Sequence, residues 1–227
     1  MKLFRKVIRW VFGLFFASTI LSVVAYRFVP VWFTPLMFIR CAQQVSEGSD
    51  VKLSHHWVPL ERISPSMPVA VIASEDANFL KHHGFDYKAI EHAAKRNREH
   101  PEKQKLGAST ISQQTAKNVF LWPGRSWVRK GFEVYFTALI ELLWSKQRIM
   151  EVYLNSIEMG DGIYGVDAVA EEHFQTNAKN LSQEQCALIA ATLPNPRKFS
   201  SKNPSDYMRK RQTRILKEMK FVSAFPK

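Results

Sequence analysis

The chain has 227 residues, a formal net charge of +12 and two cysteines, room for one domain with a sizeable core plus a short appendage and hardly for two independent domains. The basic balance calls for anionic partners, a requirement that nucleic acid, anionic phospholipid and a phosphorylated substrate all meet. Cys41 and Cys186 fall in no CxxC or Cys/His spacing, which argues against a structural zinc site and a disulfide scaffold, and two unpaired thiols are expected in preference to a single bridge.

In chain order, Lys2, Arg5, Lys6 and Arg9 come first and an uncharged apolar run from Trp10 to Tyr26 follows. With Val7 and Ile8 added and Arg9 snorkelling, the run reaches the roughly 20 residues that span a bilayer. No small-x-small site follows it, and Arg40 before Cys41 spoils a lipoprotein site, so an uncleaved anchor is expected and not a signal peptide. The basic residues before the run outweigh Arg27 after it, which places the N-terminus in the cytoplasm and the remainder on the far side of the membrane. Chromosomal DNA is absent there. From Phe28 to Ile39 the chain stays apolar and aromatic, but Pro30 and Pro35 interrupt a helix, so this stretch reads as an interfacial connector. The expected plan is a tail and anchor over residues 1–28, a connector over 29–50 and a folded domain over 51–227.

Within that domain Val69 to Ala73 is the best strand candidate and reads equally as a buried helical turn. The following segment, ASEDANFLKHHGFD, puts Glu75, Phe79 and His82 on one face if it stays helical to Gly84. A carboxylate drawn into a partly apolar cleft can act as a general base near neutral pH, although an acid on a helix surface is the commoner case. Lys95 to Lys105, KRNREHPEKQK, is bare of apolar residues and reads as a solvated, mobile loop. In GASTISQQTAKN, Thr110 and Gln113 form a capping box that opens a helix, and its N-terminal amide groups favour an anion. Lys117 lies two turns on, with Arg125, Arg129 and Lys130 beyond it, a set of donors suited to a diphosphate beside sugar-binding Gln113, Gln114 and Asn118. An ordinary capped polar helix fits the segment as well, and the missing GxxxxGK[ST] excludes a nucleotide P-loop. Arg129 and Glu133 are four apart and by themselves read as a surface ion pair. Apolar residues recur at three and four from Phe132 to Tyr153, and a second capping box at Ser182 and Gln185 opens a helix that Pro194 stops. The aromatic stretch Phe120, Leu121, Trp122 and Trp127 suits either lipid or the interior. A mainly α domain is expected.

Taken together and in this order, ASEDANFLKHHGFD, GASTISQQTAKN, RKGFE and KQRIMEVYLNSIEMGDGIYGVDAVAEEHF resemble the successive motifs of the peptidoglycan glycosyltransferases. They are similar in particular to the monofunctional, membrane-anchored biosynthetic transglycosylases of Gram-negative bacteria, over roughly Pro59 to Met219. The first motif falls on Glu75, Asp76, Phe79, His82, Gly84 and Asp86, and the second on Ser109, Thr110, Ile111, Gln113, Gln114, Lys117 and Asn118. The third falls on Arg129, Lys130 and Glu133, and the fourth on Tyr153, Leu154, Asn155, Gly160, Gly162 and Gly165. Val169 stands where the family commonly has Ala.

The resemblance implies a lysozyme-like, mostly helical domain of two lobes with a cleft between them, dipped into the outer leaflet of the bacterial inner membrane. It implies polymerisation of lipid II into β-1,4-linked glycan by an inverting displacement, with release of undecaprenyl diphosphate. Glu75 would be the general base, with Glu133 orienting the cations and supporting positive charge on the donor sugar. Asp76, Phe79, His82, Ser109, Thr110, Gln113, Gln114, Lys117, Asn118, Arg125, Arg129, Lys130, Tyr153 and Asn155 would bind substrate. No cofactor is required; a divalent cation, Mg2+ or Mn2+, would come with the substrate. Partners would be lipid II, the growing strand, membrane lipid and other cell-wall synthesis and division proteins, and no nucleic acid. A lysozyme-like or lytic transglycosylase that cleaves glycan is the alternative, but Asp76 follows Glu75 where such enzymes usually have Ser. A non-catalytic anchored scaffold is a third class. The absence of KTG argues against a penicillin-binding transpeptidase unit.

Overall fold

The computed structural model describes residues 2–103, 105–124 and 126–226. The chain is mainly α, as expected, and the helices are Lys2–Phe28 (α1), Pro35–Ser46 (α2), Ser66–Glu75 (α3), Tyr87–Glu99 (α4), Ile111–Phe120 (α5), Trp127–Leu143 (α6), Lys146–Ser156 (α7), Val166–Phe174 (α8), Gln183–Thr192 (α9) and Asp206–Glu218 (α10). Three short strands, Ser54–His55 (β1), Glu158–Gly160 (β2) and Ile163–Tyr164 (β3), form one sheet in the order β1-β3-β2, with β1 parallel and β2 antiparallel to β3.

α1 is 27 residues long with a mean hydropathy of 2.0 over its most apolar window, enough to cross a membrane by length and composition. Its second half lies along α6. Thr19 shares a 2.9 Å hydrogen bond with the Tyr135 hydroxyl, Trp144 Nε1 donates to the Val23 carbonyl at 2.8 Å, and Arg148 Nε donates to the Tyr26 carbonyl at 3.0 Å. α2 occupies the expected connector. Pro35 starts this helix instead of interrupting it, because the first turn needs no amide hydrogen from that position and Thr34 caps it.

Beyond these, the helices fall into two packed groups. In one, α5 lies against α6 and α7; in the other, α9 lies between α3 and α10. α9 is buried without a break from Cys186 to Thr192, as befits a helix that is apolar on every side. Val69 to Ala73 belongs to α3, a buried helix. Both capping boxes form, at Thr110 with Gln113 and at Ser182 with Gln185. Phe120 stacks on Phe136 with ring centroids 4.5 Å apart and Leu121 is buried, whereas Trp127 is 93% exposed, so the aromatic stretch divides between interior and surface. Both cysteines are free thiols.

Two further expectations are corrected. The segment 95–105 is not wholly a loop: α4 runs to Glu99, capped by Asp86 and closed by Arg96 and Arg98 at its negative end, and Asn97 ties the Leu106 backbone back at 2.7 and 2.9 Å. The helix expected to run from Glu75 to Gly84 stops at Glu75. His82 Nε2 turns back to the Asp76 carboxylate at 2.9 Å, and residues six apart cannot meet on a continuing helix.

Candidate active site

α5 begins where its capping box says it should, and a second anchor fixes its direction. Asp76 Oδ2 accepts the Ile111 amide at 2.9 Å and the Thr110 hydroxyl donates to the Gly84 carbonyl at 2.7 Å, so the chain that leaves α3 holds the start of α5. Gly84 adopts φ +87°, and a Cβ there would lie 2.9 Å from Thr137 Cγ2 on α6. This bracing turns one face of α5 toward a cavity of about 480 Å³ that α2, α6, β2 and the segment after α9 also border.

The cavity is lined by Ser109, Gln113, Gln114, Lys117 and Asn118 from α5 and its lead-in, and by Arg129, Lys130 and Glu133 from α6. Glu133 is buried. Its Oε2 accepts from Arg129 Nη1 at 2.6 Å and its Oε1 from Lys130 Nζ, so the pair read as a surface salt bridge is a buried carboxylate gripped by two cations. Lys117 makes no ion pair among the described residues, and burial lowers its pKa below the ordinary lysine value. Glu133 and Glu158 oppose that shift, while Arg129 and Lys130 reinforce it. The result is a half-buried ammonium at the edge of a cavity rich in neutral donors, a place that favours an incoming anion.

Glu75 stands beside this cavity, reached through Gln114. Gln114 Nε2 donates to Glu75 Oε2 at 3.0 Å, and the Tyr153 hydroxyl donates to Gln114 Oε1 at 3.1 Å. Burial holds the Tyr153 phenol well above its ordinary pKa, with Glu75 and Asp76 adding to the effect, so it remains a neutral donor. The other carboxylate oxygen accepts from Ser74 Oγ at 3.0 Å and faces Arg211 Nη2 at 3.5 Å. Glu75 also borders a second cavity of about 440 Å³, with Arg214, Glu218 and Phe221 across it.

A family description, Transglycosylase, matches residues 42–220. The chain belongs to the transglycosylase family. Its relatives include the biosynthetic peptidoglycan transglycosylase of Bacteroides thetaiotaomicron, 61% identical over 225 residues that cover 98% of this chain and 90% of the relative. The proteins of the same name from Bdellovibrio bacteriovorus and Haemophilus influenzae are 56% and 50% identical, covering 94% and 93% of this chain and 84% and 85% of those relatives.

For this transglycosylase, the geometry divides the residues that the sequence singles out. Ser109, Gln113, Gln114, Lys117, Asn118, Arg129, Lys130 and Glu133 share one cavity, and Glu75 adjoins it. Asp76, Phe79, His82, Thr110, Tyr153 and Asn155 line none of it. Phe79 is fully buried under Lys146, whose ammonium lies 4.5 Å from the ring centroid. The Asn155 carboxamide is spent on the Val58 amide and carbonyl and the Glu151 carbonyl at 2.8 to 2.9 Å. These side chains hold the walls of the site. Arg125 lies outside the described residues. Sequence reading missed Arg40 and Glu158, which line the cavity, and Arg211 beside Glu75. Arg211 is one of several basic residues on α10 and nothing local marks it, while Glu158 sits inside the YLN motif as an unremarked acid.

Proposed function

We propose that the protein polymerises lipid II into β-1,4-linked glycan strands of peptidoglycan and releases undecaprenyl diphosphate. The observation that carries this reading is the convergence of Lys117, Arg129 and Lys130 with Gln113, Gln114 and Asn118 in one cavity. Glu75 stands one side chain away from it. Cations there neutralise a departing diphosphate, and the carboxamides and hydroxyls bind the sugar next to it.

In this scheme Glu75 takes the proton of the acceptor sugar's 4-hydroxyl as that oxygen attacks C1 of the donor, and the bond from C1 to the diphosphate oxygen breaks with inversion. Diphosphate is already a good leaving group, so a second carboxylic acid is unnecessary, in contrast to glycoside hydrolysis. Glu133 holds Arg129 and Lys130 toward the leaving group and supports positive charge on the donor sugar. Arg125 is assigned to the same cation set from its sequence position alone. A divalent cation, Mg2+ or Mn2+, would arrive with the substrate's diphosphate. α1 is the membrane anchor, with the N-terminus in the cytoplasm and the catalytic domain on the periplasmic side of the inner membrane, where lipid II and other wall-synthesis proteins would meet it.

Separate incubation with lipid II and with finished sacculi tests the reading. Polymer from lipid II and intact sacculi are expected; cleaved sacculi without polymer would identify a lytic enzyme instead.

A further inference from the structure

Two residues that line the cavity have no part in the reaction just described. Arg40 comes from α2 and Glu158 from β2, and they meet at 3.4 Å between Nη2 and Oε2. Gln43 Oε1 accepts Arg40 Nη1 at 2.8 Å, and Leu36 and Met37 pack on Tyr164, which docks α2 on the sheet. The pair is therefore held in place before any substrate arrives.

Its hydrogen bonding is incomplete. Glu158 is 5% exposed, and its Oε1 has no hydrogen-bond partner among the described residues; the same is true of Arg40 Nε and the Tyr164 hydroxyl. Buried polar atoms are nearly always paired, and an unpaired carboxylate oxygen on a residue that lines a cavity wants a donor. An anionic group would be repelled by Glu158 and a cation by Arg40, so this corner is unlike the Lys117, Arg129 and Lys130 side of the same cavity. What fits is neutral and donates.

We propose that Glu158, oriented by Arg40, accepts a hydrogen bond from a sugar hydroxyl or acetamido N–H of the lipid-linked substrate, making α2 and β2 a carbohydrate-reading part of the site. This rests on the function proposed above. The stretch joining anchor to domain then positions a substrate contact as well as serving as a tether.

The test uses the full-length protein in detergent with Glu158→Gln and Glu158→Met. In the first variant the amide oxygen can keep the Arg40 bond and turns its NH2 toward the cavity; in the second the acceptor is gone. The KM for lipid II is expected to rise roughly tenfold to a hundredfold in Glu158→Met and less in Glu158→Gln, with kcat changing far less. Stabilisation by inorganic pyrophosphate, read as a thermal shift, should reach at least the wild-type value in both, because each variant removes a charge that repels anions. Unchanged KM in the folded variants would overturn the proposal, as would loss of pyrophosphate binding in step with lipid II, which marks a wall that only keeps the cavity's shape. Should Glu158→Met fail to fold, a several-fold rise in KM for Glu158→Gln decides the matter. If wild type does not polymerise lipid II, the proposed function fails, and thermal shifts with lipid II still test Glu158 by binding alone.

Discussion

Replacing Lys117 by Met should make the protein more stable and nearly inactive. The side chain keeps its length, but the ammonium, which burial disfavours and no carboxylate pairs directly among the described residues, is gone. Relief of that desolvation is of order 1 kcal/mol, which for a domain of this size raises Tm by about 2–4 °C. Loss of one preorganised charge at a leaving group costs about 10²–10³ in kcat. Ligand linkage sharpens the comparison. Pyrophosphate at a hundred times its Kd stabilises wild type by about 2.7 kcal/mol, and Lys117→Met should lose most of that gain. The pH dependence has a definite sign. Because the folded pKa lies below the ordinary 10.5, the unfolded chain binds more protons in the window between the two, so wild-type stability gains a rising contribution with pH there, and Lys117→Met lacks it. Differential scanning fluorimetry in detergent, with and without pyrophosphate, measures all of these shifts. A Tm that falls by several degrees, or a variant that keeps full activity, would refute the idea that this ammonium is held for an anion.

Glu133→Ala should destabilise the fold by about 3–5 kcal/mol, since it strands Arg129 in a buried position, and chemical denaturation will show it. Asp76→Ala removes the acceptor for the Ile111 amide and for His82, so its loss should register first in Tm, with the KM of whatever protein folds staying near wild type. Gly165→Ala forces a Cβ to 2.6 Å from the Asn155 carbonyl oxygen at φ +80°, and the expected destabilisation of about 1–3 kcal/mol or more should appear as poor expression or a lowered Tm.

Features whose causes are local could be read from the sequence. The capping boxes at Thr110 and Ser182 depend on a residue three positions on, and the apolar period from Phe132 to Tyr153 depends on one turn of helix; the boxes appear where expected, and the period is divided between α6 and α7 by the break at Trp144 and Ser145. The cation side of the cavity was also legible, because Lys117 lies on α5 and Arg129 and Lys130 on the first turn of the next helix. Features decided by distant partners were hidden. α3 ends at Glu75 because Asp76 is claimed by an amide 35 residues away, and the burial of Glu133 follows from packing that helix spacing does not reveal. Arg211 meets Glu75 from 136 residues along the chain, and Arg40 meets Glu158 from 118. Motif resemblance assigned Asp76, His82 and Asn155 to substrate, whereas their hydrogen bonds run to the protein itself.

The decisive comparison is the time course of labelled lipid II with wild-type protein and with Glu75→Gln. Glutamine can keep the contact to Gln114 but cannot take a proton, so wild type should yield polymer that lysozyme digests while the variant, equally folded, is slower by at least about 10²-fold. Polymerisation by Glu75→Gln at the wild-type rate would contradict the assignment of Glu75 as the base and, with it, the proposed mechanism.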